Sequence, residues 1–284
     1  MAVFEPNKHS PSCGGTLVAS KFVITAAHCT YRKNTKQKID KIYQPSELKV
    51  NVGDHNIRTK GETTLEQLNL RLVKIHRHDN FKQVIGAKSA TGSGWDIAIL
   101  ELKNELPLGT YTPACLPKLS DTSKFYGKTI TVAGWGKDHE VPDSYPSTPK
   151  EVQLKIATST DASDSCEYKG SKLMAKIPSM ICSVSTLARG KGHCAGDSGG
   201  PGTFVQKDQH VLMGVASATS KTLEAIDIEI YRPQNQITGV AGQRGTEICG
   251  YDSIFCRVSY VRPWIDKILA NAKFCTNGGE ADDF

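Results

Sequence analysis

Hydrophobic positions along the chain come in short bursts. Phe22-Val23-Ile24-Thr25 and Thr129-Ile130-Thr131-Val132-Ala133 are typical, and Gly, Pro, Asn and Asp punctuate the intervals. Runs of this length bounded by turn residues predict many short strands rather than helices. The exception lies near the C-terminus, where the apolar spacing from Ile265 to Ala272, after Pro263, predicts a terminal helix. No apolar run reaches membrane-spanning length, and no repeat recurs at the solenoid or propeller periods. At 284 residues the chain can bury a substantial core and fits one large all-β unit.

Three segments add chemistry to this pattern. Gly196-Asp197-Ser198-Gly199-Gly200-Pro201 sets a serine between flexible glycine positions, directly after an acid. Glycines there let the backbone approach a substrate and aim N–H groups at one point, as stabilising an oxyanion requires. Thr25-Ala26-Ala27-His28-Cys29 and Asp96-Ile97-Ala98-Ile99-Leu100 lie upstream. A serine hydroxyl is a weak nucleophile near neutral pH and needs a base to take its proton. His28 suits that task, because an imidazole titrates close to the working pH. Asp96 would hold its tautomer and stabilise the imidazolium that forms. Any one of these residues alone is more often structural than functional; three linked motifs are another matter. The order His28, Asp96, Ser198 also differs from those of subtilisin and the α/β-hydrolases.

With the flanks Cys13-Gly14-Gly15, Pro113-Ala114-Cys115-Leu116-Pro117, Ala133-Gly134-Trp135-Gly136 and Pro263-Trp264-Ile265, the sequence resembles the chymotrypsin-like (trypsin-fold) serine proteases from Cys13 to Leu269. The resemblance implies an all-β fold of two packed antiparallel six-stranded Greek-key barrels with a C-terminal helix. The N-terminal barrel would span 1–112, the C-terminal barrel 118–262 and the helix 263–273, with an inserted loop over 218–248. It implies a secreted serine endopeptidase working through an acyl-enzyme, without a cofactor. Ser198 would attack, His28 would carry the proton, Asp96 would orient His28, and the N–H groups of Gly196 and Ser198 would hold the oxyanion. Ser217 would hydrogen-bond near Asp96. The alternative is a non-catalytic member acting as a regulatory binding partner; such members usually lose a triad residue, and this chain keeps all three.

Nine cysteines point to an oxidising compartment, yet nothing at Met1 resembles a signal peptide. In the family a short Ile-Val-Gly-Gly-like segment precedes the first strand, and here Met1-Ala2-Val3-Phe4 already resembles that strand. The expectation is a missing N-terminal activation segment and a zymogen-like state. The freed family amine pairs with the acid before the nucleophile, here Asp197, and a buried carboxylate without a partner is costly. By resemblance the disulfides would be Cys13–Cys29, Cys166–Cys182 and Cys194–Cys249. Cys115 would bond to a missing pro-segment or light chain, which an odd cysteine count suits. Cys256–Cys275 completes the set; the alternative is Cys194–Cys256 with Cys249–Cys275.

Substrate choice in the family depends on a pocket that here would be lined by Gly192, His193, Ser217, Thr219 and Ser253. Trypsin-like members carry an acid where this chain has Gly192, and Ser217-Ala218-Thr219 stands where Ser-Trp-Gly is usual. These features favour a small or medium uncharged residue before the scissile bond. The insertion includes Glu224 to Ile230, whose alternation of acid and apolar residues fits a surface hairpin, or a loop that folds over the pocket and supplies an acid. Tyr31 to Lys38 concentrates positive charge after His28, and a solvated loop is its plainer reading against the steering of acidic partners. Protein or peptide substrates, an activating protease and protease inhibitors are the expected partners. Nucleic acid and membrane are not, since the net charge of +6 comes with no binding motif. His76 and His78 would face one side of a strand, and Asp54, Glu62 and Glu66 are possible calcium ligands, but neither set makes a metal site by spacing.

Overall fold

The computed structural model describes residues 1–6, 10–32, 41–81, 94–117, 125–137, 145–157, 178–185, 192–219 and 252–272. The N-terminal half contributes β1 (Ala2–Phe4), β2 (Cys13–Gly14), β3 (Thr16–Ala19), β4 (Phe22–Thr25), β5 (Tyr31–Arg32), β6 (Lys41–Ile42), β7 (Lys49–Val52), β8 (Gln67–Arg77) and β9 (Ala98–Leu102). Seven of these form one antiparallel sheet in the order β2-β1-β7-β8-β9-β4-β3, while β5 and β6 pair separately. The second half contributes β10 (Thr129–Gly134), β11 (Lys150–Ile156), β12 (Met180–Ser185), β13 (Pro201–Gln206), β14 (Gln209–Thr219) and β15 (Asp252–Arg257). They close an antiparallel barrel in the order β10-β11-β12-β15-β14-β13. The expected all-β, two-barrel architecture is therefore what the chain adopts, with an α-helix, α1 (Val258–Leu269), after β15.

Short apolar runs become central strands because both faces are covered. All four residues of β4 are buried, and β4 pairs with β9 from Phe22↔Glu101 to Thr25↔Ala98. Ile24 and Ile99 face one another in that register with no exposed surface. Truncating Ile99 to Ala would cost about 2–5 kcal/mol, because such a site cannot collapse around the void. A second core fills the closed barrel with Ile130, Leu154, Ile156, Met213 and Phe255. The first core does not stop at the first sheet: Leu212 and Val215 of β14, and Val258, Val261, Ile265 and Leu269 of α1, pack into it.

The helix begins earlier than its sequence suggests, at Val258 rather than after Pro263. Proline inside a helix removes a donor and crowds the carbonyl four residues back. Here Val258, Val261, Ile265 and Leu269 repeat at helical spacing and are buried, while Pro263 lies on the exposed face. Packing outweighs the proline. Arg262 adds to this by donating to the Pro117 carbonyl (2.9 Å) and to Asp266 (2.6 Å).

The cysteines depart in part from expectation. Cys13 and Cys29 are bridged. Cys115, Cys182 and Cys194 are also disulfide-bonded within the chain, to partners outside the described residues. Cys115 thus has no sulfur left for a pro-segment or light chain. Cys256 is a free, buried thiol, which corrects both the Cys256–Cys275 pairing and its Cys194–Cys256 alternative. The reason is its position: mid-strand on β15, opposite Val215 and Met180, it is enclosed by the first core. Cys166, Cys249 and Cys275 lie outside the described residues.

Candidate active site

The register of β4 against β9 brings the first two chemical residues together. Thr25 opposes Ala98, so the chain leaving β4 toward His28 and the chain entering β9 from Asp96 emerge at the same end. A 3₁₀ turn over Ala27–Thr30 follows at once and presents His28. The Cys13–Cys29 bridge ties this turn to β2, and Arg77 donates to the carbonyls of Thr30 and Tyr43 behind it.

Asp96 is the hub. It is 1% exposed, and its Oδ2 lies 2.7 Å from His28 Nδ1. The same oxygen accepts the Ser217 hydroxyl at 2.6 Å, while Oδ1 accepts the His28 backbone N–H at 2.9 Å. Burial alone would push this carboxyl up; the His28 charge and the three donated hydrogen bonds hold it below its ordinary value. The preceding residue, Trp95, has φ of 58°, a conformation that a bulky side chain adopts only under constraint. The constraint is aromatic: its ring stacks on His78 at 4.6 Å and meets Tyr260 at 5.1 Å.

Ser198 comes from the other barrel, three residues before β13. Its carbonyl accepts the Gly14 N–H at 2.7 Å, and Cys29 Sγ lies 3.6 Å from the same oxygen. The adjacent turn is fastened to β14 by Gly199 N–H to Ala216 O (2.7 Å) and Ala216 N–H to Gly200 O (2.9 Å). Gly199 has φ of 78°, and a side chain there would collide with Thr25 and Gly14. No described group accepts a hydrogen bond from the N–H of Gly196 or of Ser198. Ser198 Oγ makes no hydrogen bond to His28 among the described residues, and Cys29 Sγ lies 3.8 Å from His28 Nε2.

Asp197 turns away from this opening. Its Oδ1 accepts the Gly136 N–H at 2.7 Å and its Oδ2 the Cys194 N–H at 2.8 Å. Gly136 is required, since a Cβ there would fall on the carboxylate. Burial raises the carboxyl above its ordinary value, the two N–H groups oppose that, and no cation pairs with it among the described residues. The Gly136 donor was visible in the sequence only as a flank; its distance of 61 positions from Asp197 hid the contact.

Of the pocket residues, Gly192, His193, Ser217 and Ser253 fall among the described residues, and none carries a carboxylate. Thr219 pairs with Ser253 across β14 and β15. Ser253 is fully buried and its hydroxyl accepts the His193 backbone N–H at 3.1 Å. His193 is 3% exposed, its ring stands edge-on to Phe255 at 5.4 Å, and its Nδ1 has no partner. The basic loop beyond Arg32 and the stretch from Glu224 to Ile230 lie outside the described residues.

The two metal candidates separate. His76 Nε2 contacts Glu101 at 3.1 Å, whereas His78, one residue past β8, stacks against Trp95 and Trp264. Strand alternation ends with the strand, so the two rings do not converge. Cys13, His28 and Cys29 cluster, but both sulfurs are spent in the disulfide. Asp54, Glu62 and Glu66 lie on one loop, but their carboxylates do not converge closely enough to form a three-ligand ion site. Glu62 accepts the N–H groups of His55 and Asn56, Glu66 accepts that of Gly61, and buried Asp54 Oδ1 and Glu66 Oε1 lack partners.

A family model described as Trypsin matches residues 1–241. Mannan-binding lectin serine protease 1 of Mus musculus is 28% identical over 214 residues, which are 73% of this chain and 28% of that protein. The chain thus spans little more than a quarter of that relative. Chymotrypsin-like elastase family member 1 of Bos taurus is 25% identical over 260 residues, 92% of this chain and 79% of the relative. The same protein of Macaca fascicularis is 26% identical over 268 residues, with the same shares. Two barrels, the family match and these relatives together place the chain in the trypsin family of serine proteases.

Proposed function

We propose that the chain is a secreted serine endopeptidase that cleaves peptide bonds through an acyl-enzyme. The observation that carries this reading is the buried Asp96 carboxylate, bonded at 2.7 Å to His28 Nδ1 beside the loop of Ser198. In this reading Ser198 Oγ attacks the substrate carbonyl while His28 Nε2 takes its proton. The tetrahedral oxyanion lies against the N–H groups of Gly196 and Ser198, which no other described group engages. His28 then gives the proton to the leaving amine, and a water molecule, activated by His28 in turn, hydrolyses the ester. Asp96 holds the Nδ1–H tautomer throughout, and Ser217 keeps Asp96 ionised by donating to it.

Asp197 is the activation switch of this reading. A cation brought to its enclosed carboxylate would lock the segment that carries Gly196 and Ser198. The pocket takes a small or medium uncharged side chain, since Gly192, Ser217 and Ser253 bring no charge. Protein or peptide substrates, inhibitors that mimic them, an activating protease and extracellular disulfide chemistry fit the same reading.

A fluorophosphonate probe tests it directly, with Ser198→Ala as control. Covalent labelling of the chain extended with an Ile-Val-Gly-Gly start, whose amine would supply the cation for Asp197, is the expected result, absent in the variant and weak in the unextended chain. Labelling absent from the extended chain as well, in protein shown folded by circular dichroism, would favour a non-catalytic binding homologue.

A further inference from the structure

The most anomalous buried group outside the His28–Asp96–Ser198 constellation is His193. It stands five residues before Ser198 on the segment that forms the oxyanion loop, yet it contributes nothing to the chemistry described above. Its main chain is fixed by the bond to Ser253, and Ser253 in turn is held through its carbonyl by the Ser183 hydroxyl (3.5 Å). Its ring is fixed by the Phe255 edge. A side chain so well positioned would be expected to satisfy its own polar atoms. Instead neither ring nitrogen hydrogen-bonds to a described residue, and Nδ1 is buried without a partner among them. Buried polar atoms in native proteins are nearly always paired, and an orphan calls for an explanation such as a ligand.

Position says which ligand. Ser253 lies opposite Thr219, two residues along β14 from the Ser217 that touches Asp96. In the protease reading this puts the imidazole beside the pocket lined by Ser217 and Thr219, where the side chain preceding the scissile bond would enter. We propose that His193 makes this pocket selective for a carboxamide, so that glutamine or asparagine precedes the bond cleaved. This rests on the serine protease reading given above and refines its uncharged-residue preference.

The chemistry of the match is simple. A neutral imidazole carries one N–H and one lone pair, and either tautomer needs a complementary partner. A carboxamide offers both a donor and an acceptor on one rigid group, so it answers whichever tautomer is present. A carboxylate could accept the N–H of the neutral ring but would bury an uncompensated charge unless an imidazolium stood opposite it. His28 becomes an imidazolium during acyl transfer, and a second positive ring within its field is disfavoured. An aliphatic side chain would leave the orphan nitrogen as it is. Sites built to hydrogen-bond a substrate group reject analogues that lack it far more strongly than apolar pockets reject a methylene.

The test is a peptide series varied only before the scissile bond, with Gln, Asn, Glu, Leu, Ala and Arg, read as kcat/KM near neutral pH. Gln or Asn should exceed Leu and Glu by about tenfold or more, a difference on the scale of one well-made hydrogen bond. In His193→Phe the Gln to Leu ratio should fall by about the same factor. A parent enzyme that prefers Leu, Glu or Arg overturns the proposal, as does a Gln to Leu ratio that His193→Phe leaves unchanged. If His193→Phe does not fold, the parent ranking alone decides, and His193→Leu supplies the second variant. Probe labelling of Ser198 without carboxamide preference defeats this inference only; absence of labelling defeats the protease reading with it.

Discussion

Replacing His193 by leucine isolates one titration and predicts a change in how stability depends on pH. The parent ring is 3% exposed, and its pKa is lowered from the ordinary 6.5 to about 4, first by burial and then by the charge of His28. Phe255 and Ser253, its other neighbours, do not titrate in that range. Between these two values the unfolded chain binds a proton at this site and the folded chain does not. Stability therefore falls as the pH drops through the window; the neutral ring's contribution is fully present above the unfolded value and lost at the folded one. At about 1.4 kcal/mol per pKa unit the loss amounts to about 3 kcal/mol. Urea denaturation followed by tryptophan fluorescence, stepped from about pH 7 to about pH 4, would measure it. The parent should lose about 3 kcal/mol more than His193→Leu over that interval. Two stability curves that stay parallel to within about 0.5 kcal/mol would refute the reasoning, since such a ring would then be no harder to charge than in the unfolded chain.

Four shorter predictions follow from other contacts. Ser217→Ala removes a buried donor to an ionised group, a bond worth about 1.5–3 kcal/mol, so kcat/KM should fall about 10- to 100-fold. Losing that bond also raises the Asp96 pKa, so the acid limb of the pH–rate profile should move to higher pH; an unmoved limb would mean Ser217 does not sustain the charge. Asp96→Asn should lower kcat by about 10⁴ with little change in fold by circular dichroism, because the imidazole would then be held in the wrong tautomer. Converting both Cys13 and Cys29 to Ala opens a loop of sequence separation 16, which should cost about 3 kcal/mol in urea denaturation. Calcium should leave the thermal midpoint where chelator leaves it, because the Asp54, Glu62 and Glu66 carboxylates do not converge; a calcium-dependent rise abolished by Glu66→Gln would refute that reading.

The motifs around His28, Asp96 and Ser198 were legible in the sequence because each is a local constraint. A turn after a strand, an acid before a strand and a glycine-bounded serine can all be read within six residues. The barrels were legible for the same reason, as short apolar runs between turn residues. Long-range geometry was not. Nothing local to Asp197 announces Gly136 as its donor, and nothing local to Trp95 announces the rings that hold it at positive φ. The start of α1 was hidden because Pro263 is a strong local signal, whereas the burial of Val258 and Val261 is decided by β14 and the first core. Cys256 misled for a related reason: counting sulfurs says nothing about which of them a core encloses. His193 could be placed beside the pocket by its distance from Ser198, but its unpartnered nitrogen is a property of packing alone.

One pair of contacts bears on how such an enzyme can be built and broken. His28 and Asp96 belong to the first sheet, while Ser198 and Ser217 belong to the closed barrel. Two of the bonds that cross the seam lie at the site itself: Gly14 N–H to the Ser198 carbonyl, and the Ser217 hydroxyl to Asp96. Neither half owns a working site. In the proposed reading the reacting atoms would be aligned only as well as the two halves are docked, so turnover would double as a gauge of that alignment. Strain introduced anywhere along the seam, even far from substrate, would surface as lost rate before it surfaced as lost structure.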